Sequence, residues 1–118
     1  MAKPTYCTDP HDSARLIEAV EDSLLSVENA TLIAETLSAF SDPTRIRVIG
    51  LLAESEMCVG DLCLVLGMTQ PAISHHLRIL RNLKIVAVRK AGRHVFYTLA
   101  DQHILDIFNQ SLEHVRHI

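Results

Sequence analysis

Residues 58–83 read CVGDLCLVLGMTQPAISHHLRILRNL. Leu62 and Leu66 stand one helical turn apart, and Gly67 is a natural stop because glycine takes the left-handed conformation that ends helices. Thr69 is a cap for a second helix, with Pro71 tolerated in its first turn. Ile73, Leu77 and Leu80 then share one face, and Cys63 falls where the first helix buries a small residue. Two short helices about a glycine turn, the second ending in basic residues, follow the helix-turn-helix plan. The opposite face of the second helix carries Gln70, Ser74, His75 and Arg78, which combine base-reading and phosphate-binding groups. Two packed helices of an ordinary bundle show the same apolar spacing, so the flanking sequence has to decide.

Downstream, residues 84–99 read KIVAVRKAGRHVFYTL, rich in β-branched and aromatic residues on both sides of Ala91-Gly92. This predicts a hairpin. Its turn is flanked by Arg89, Lys90 and Arg93, which a buried hairpin would not need. A cationic hairpin directly after a helix-turn-helix predicts a wing that touches DNA beside the main contact.

The charge distribution agrees. The chain has 118 residues and a net charge of −3, yet residues 62–100 contain no Asp or Glu. Arg78, Arg81, Lys84, Arg89, Lys90 and Arg93 give that segment +6. The other five of eleven basic residues stand against all fourteen acidic ones, a net −9. On charge alone, a basic block inside an acidic chain fits a phosphate-binding face and a merely solvated basic surface equally; the helix-turn-helix and wing beside it favour the first. The expected partner is therefore double-stranded DNA.

Upstream, SDPTR places Asp42 as a helix cap and Pro43 at the first helical position, opening a helix to about Ala53. Leu32, Ile33, Leu37 and Phe40 form one apolar stripe before it. Leu16, Ile17, Val20 and Leu24 form another within residues 11–25. Residues 1–10 read as a mobile arm and residues 11–118 as a single domain, mainly α with a small β-hairpin wing. Such a length supports only a modest core without a partner subunit. The polar, proline-broken start is no signal peptide, and no apolar run reaches spanning length. Cys7, Cys58 and Cys63 are an odd set without a close pair, which fits a reducing cytoplasm.

The chain closes on DQHILDIFNQSLEHVRHI, residues 101–118, which reads as one helix with Ile104, Leu105, Phe108, Leu112 and Val115 inward. His103 and His114 differ by about 20° around the axis, and His117 lies about 60° from His114. Asp101, His103, His114 and His117 are thus four potential metal ligands near one edge. Eleven residues rise roughly 16 Å, whereas bonds to zinc are about 2 Å, so one ion cannot join the two ends. Two copies laid antiparallel across a two-fold axis bring Asp101 and His103 of one chain to His114 and His117 of the other. The outcome is two identical N3O sites per homodimer, suited to zinc or a similar ion. Each residue also has a structural reading, since Asp101 is a good cap and histidine suits a helix C-terminus. A second set is looser. Cys58 and Asp61 share one face at the start of the first helix-turn-helix helix, where the dipole favours a thiolate. Cys7 and His11 on the arm complete it.

MCVGDLC, TQPAISHHLRILRNL, RKAGRHVFYTL and the terminal D-x-H…H-x2-H together resemble the ArsR/SmtB family of metal-sensing repressors, over residues 30–118. The resemblance implies a homodimeric winged helix-turn-helix repressor. Such a protein binds an inverted-repeat operator when metal-free and releases it on binding metal, freeing efflux or sequestration genes. The terminal quartet matches the family's C-terminal-helix site, with the ligand types of zinc and cobalt sensors. Cys58 and Asp61 match its other site, to which Cys7 and His11 would be recruited. Relatives tuned to cadmium carry C-V-C where this chain has Cys58-Val59-Gly60. That departure favours zinc over cadmium. In the mechanism so implied, His114 uses its second ring nitrogen to bond a backbone carbonyl near Lys84, where recognition helix meets wing. The alternative is a winged-helix DNA regulator without metal input, its histidines serving structure. A zinc hydrolase would need an open coordination position, which a complete quartet does not leave.

Overall fold

The computed structural model describes residues 12–118; the arm, with Cys7 and His11, lies outside them. The order is α1 (Ser13–Val20), a 3₁₀ turn (Glu21–Ser23), α2 (Val27–Ser38), α3 (Pro43–Glu54), α4 (Val59–Leu66), α5 (Gln70–Asn82), β1 (Val86–Ala91), β2 (His94–Leu99) and α6 (Gln102–Arg116).

Local chemistry sets most helix starts. Asp12, Ser26, Asp42, Thr69 and Asp101 each accept the amide three residues on, satisfying donors that the helix leaves unpaired. α4 begins at Cys58, whose N–H donates to Asp61 Oδ2 at 3.2 Å. Gly67, with φ +64°, ends α4 as the sequence predicts. α5 ends less easily. Lys84 holds φ +59° while its N–H donates to Arg81 O and that of Ile85 to Leu80 O. This is the Schellman geometry with a lysine where glycine is usual.

The core joins α3, α4, α5, the hairpin and the start of α6. Val48, Ile49, Leu62, Ile73, Leu80 and Ile85 are fully enclosed, with Leu77 and Ile104 nearly so. α6 lies on α3, where Phe108 covers Gly50; a Cβ at residue 50 would sit 3.0 Å from the ring tip. The helix also turns Ile107 toward the core, outside the predicted apolar set. β1 and β2 are antiparallel, with Ala91 opposite His94. The turn is therefore Gly92-Arg93, one residue later than the sequence suggests. Gly92 has φ +62°, as the first position of a two-residue hairpin turn demands.

α1 and α2 bury no residue at all. The stripe expected to run to Leu24 breaks at Val20, and Leu24 is 84% exposed. Glu21 and Asp22 follow directly, and acidic residues at a helix C-terminus oppose its dipole. The end of α2 is tied to α3 by Arg45, whose guanidinium donates to the carbonyls of Ala39 (3.1 Å) and Ser38 (3.2 Å). The radius of gyration is 20.4 Å, against roughly 13–14 Å for a compact chain of this length. The chain is extended at its first helices: α1 leaves its apolar stripe exposed, and Leu32, Ile33 and Leu37 of α2 are about half exposed beside Ile107 of α6.

Two backbone positions test this account. Gly67 has open space around a would-be Cβ, so Gly67→Ala should cost about 1 kcal/mol from backbone strain alone. Lys84→Gly should gain roughly 0.5–1 kcal/mol. Denaturant midpoints at one protein concentration, with unchanged m, would show both shifts. Asp42 offers a pH test. The amide of Arg45, aided by the charges of His76 and Arg45, holds its carboxyl below the ordinary value of 3.8. Its contribution is therefore present above that value and lost as the pH falls through it toward the folded value. Asp42→Asn keeps the cap and should flatten the stability profile between about pH 5 and 3.

Candidate DNA-reading face and metal ligands

α4 and α5 meet about the Gly67 turn with Leu62, Ile73, Leu77 and Leu80 locked inward. That seating turns Gln70, His75 and Arg78 to solvent, with Ser74 half-buried beside them. Arg81 is exposed farther along the helix. His76 faces the other way: its Nδ1 lies 3.9 Å from Asp42 Oδ2 and has no hydrogen-bond partner among the described residues. Four helix-turn-helix residues named from the sequence thus share one side of α5.

The wing is more firmly attached than its sequence suggests. Met57, between α3 and α4, pairs with Tyr97 of β2: Tyr97 N–H donates to Met57 O at 2.8 Å, and Met57 N–H to Tyr97 O at 3.2 Å. Lys90 and Arg93 stand exposed near the turn. Arg89 does not stand free with them. Its Nε donates to Glu56 Oε2 at 3.0 Å and its Nη2 to Oε1, while its guanidinium lies 4.9 Å from the centre of the Phe96 ring. The Arg89 hydrogen bond holds the Glu56 carboxyl below the usual range, and Glu56 in turn raises Arg89. Nothing in the sequence signals the Glu56 pairing, and Met57 stands out there only as the first residue of MCVGDLC. The extended stretch between two helices is the one local signal that a third strand could form there.

On α6 the quartet falls into two pairs. Asp101 Oδ1 accepts the Ile104 amide at 3.2 Å and lies 3.5 Å from His103 Nδ1. At the far end His117 caps the helix, donating its N–H to His114 O at 3.2 Å. All four side chains are exposed. Among the described residues, no three His, Cys, Asp or Glu side chains come together within one chain to hold an ion. The two pairs stay apart, as the 1.5 Å rise per residue requires. Beside them, Phe40, Ile46, Phe108, Ser111, Leu112 and Val115 line an open groove of about 320 Å³.

Of the second set, the structure describes Cys58 and Asp61. They adjoin at the α4 N-terminus, and Asp61 already serves the cap. Cys63 packs against the core. No helix among the described residues is long and apolar enough to cross a membrane.

A helix-turn-helix with a hairpin wing, its reading face basic, defines a winged-helix DNA-binding regulator. Residues 42–88 match the family described as "Bacterial regulatory protein, arsR family". The transcriptional repressor SmtB homolog of Synechocystis sp. is 36% identical over 110 residues, which are 93% of this chain and 83% of that protein. The cadmium resistance transcriptional regulatory protein CadC homolog of Staphylococcus aureus is 35% identical over 95 residues, covering 80% and 78%. NmtR of Mycobacterium tuberculosis is 36% identical over 94 residues, covering 80% and 78%. The solution structure of apo-NmtR superposes with a TM-score of 0.69, covering 80% of each chain. The chain belongs to the ArsR/SmtB family and is a transcriptional regulator, not an enzyme.

Position 60 yields a direct test. A Cβ there would lie 3.8 Å from Cys58 Sγ, an ordinary contact. Gly60→Cys should therefore set two thiols side by side and raise affinity for cadmium over zinc. Thiolate-to-cadmium absorption in a metal titration would report it; absorption equal to wild type would show that the thiols do not act together.

Proposed function

We propose that this chain is a homodimeric, cytoplasmic repressor that binds an inverted-repeat operator when metal-free and leaves it on binding zinc, derepressing efflux or sequestration genes. The observation that carries this reading is the division of Asp101/His103 and His114/His117 between opposite ends of one exposed helix. Each end supplies half of a tetrahedral donor set. A second copy across a two-fold axis supplies the other half. The bare apolar faces of α1 and α2 support the same dimer, because monomers rarely leave such surface open. The SmtB homolog of Synechocystis sp. is named a transcriptional repressor, which supports the direction of control.

The donors fit the ion. Three imidazoles and a carboxylate suit zinc, with cobalt and cadmium as lesser candidates. When bound, zinc would link the two terminal helices. The chain's own residues do the rest. Gln70, Ser74, His75 and Arg78 enter the major groove, and Lys90 and Arg93 reach the adjacent backbone. His114 donates from its second ring nitrogen to a backbone carbonyl near Lys84, the joint of α5 and wing. DNA must weaken metal binding by the same free energy that metal takes from DNA binding. Cys7, His11, Cys58 and Asp61 form a second site that binds without governing release.

DNA affinity should be measured with and without zinc on a duplex that the wild-type protein selects from a random-sequence pool. Zinc should weaken wild-type binding by about 5- to 150-fold. His103→Ala should abolish that response, and Cys58→Ala should retain it. Loss in Cys58→Ala alone would transfer control to the second site. Tight DNA binding that is indifferent to zinc would leave a winged-helix regulator without metal input.

A further inference from the structure

We infer that Arg89 is not a phosphate contact. With Glu56 it is the outer half of a clamp that sets the wing against the helix-turn-helix, and is thus a positioning residue for DNA reading. Three consecutive residues make three different attachments. Glu56 holds Arg89 of β1 through two hydrogen bonds, one of 3.0 Å from Nε. Met57 pairs with Tyr97 of β2 through both backbone hydrogen bonds. Cys58 starts α4, with its amide held by Asp61. The extended segment that leads into the reading heads is therefore fastened to both wing strands.

The arginine is committed on each side. A fork-shaped guanidinium matched to a carboxylate is the strong form of an ion pair. Its position opposite Phe96 in the hairpin register, 4.9 Å from the ring centre, adds a cation–π contact that fixes the plane. A free arginine is also poorly explained here, because Glu56 would repel the phosphate that Arg89 approached. Lys90 and Arg93, nearer the turn, have no carboxylate partner among the described residues and remain the wing's contacts.

Two measurements on the intact protein test the clamp, with Glu56→Ala, Arg89→Ala and the double variant. The first is amide exchange without DNA. Either single change should speed exchange at Met57 and Tyr97 by roughly two- to fivefold, the scale of an exposed ion pair. The double variant should add nothing further, and the Leu77 and Leu80 amides should stay protected. Unchanged Met57 and Tyr97 exchange would overturn the clamp whatever DNA does. The second measurement rests on the DNA-binding reading and uses the pool-selected duplex. Both single variants should lose the same roughly two- to fivefold in affinity, non-additively, with the salt slope unaltered. If Arg89→Ala alone weakened binding and lowered the slope by about 1, while Glu56→Ala tightened it, Arg89 would be a phosphate contact and the proposal would fall. Absence of DNA binding by every form, wild type included, would fail the repressor reading and leave the clamp to the exchange result.

Discussion

Ile73, Leu77 and Leu80 form the inner face of α5, and the remainder of the molecule is arranged around their burial. Enclosing each such side chain contributes roughly 1.5–3 kcal/mol. Because the helix repeats every 3.6 residues, fixing that face also fixes where residues 70, 74, 75 and 78 point. The same residues reach the wing. Leu80 O accepts the Ile85 amide, Ile85 O accepts that of Ala100, and Ile85 and Val86 are themselves buried. One packed core thus orients the reading helix, the start of β1 and the entry to α6. The left-handed Lys84 is the cost of turning so sharply between them.

Features governed by neighbouring residues were legible in the sequence. Asp42 with Pro43, Gly67, Thr69 and Asp101 all act through partners within four positions, and each sits where its local chemistry puts it. The inward residues of α5 were legible for the same reason, since periodicity is local. What escaped was long-range. Met57 pairs with Tyr97 by one bridge, too short to leave any alternation in the sequence. Arg89 finds Glu56 33 residues away. Adding charges along residues 62–100 counts Arg89 as a free cation, but the partner that claims it lies outside that window. The break after Val20 escaped because apolar spacing continues to Leu24 while the backbone does not.

Two unlike features make the same demand on the surroundings. Among the described residues, α1 and α2 carry apolar stripes that are left largely exposed, and α6 carries ligand pairs that no other side chain completes. The first is a matter of exposed area and the second of reach, with about 16 Å between pairs against metal bonds of about 2 Å. Neither feature depends on the other, yet a second copy on a two-fold axis answers both. The acidic body and basic reading face are consistent with that arrangement.

The seating of α6 decides how a change at its ends can reach DNA. Ile104 is buried in the common core, and Phe108 rests directly on Gly50 of α3, its ring tip 3.0 Å from where a Cβ would stand. A packed interior of this kind transmits displacement and does not absorb it. Drawing the terminal helices of two protomers into a new relation would therefore carry α3 and α5 along as one body. The reading heads would change their mutual spacing without internal deformation. Since half-sites on DNA are set by the helical repeat, spacing is the property to which two-headed recognition is most sensitive. A ligand set divided between protomers, as proposed for α6, would act on that property directly, whereas a site closed within one chain would have to deform the core to reach it.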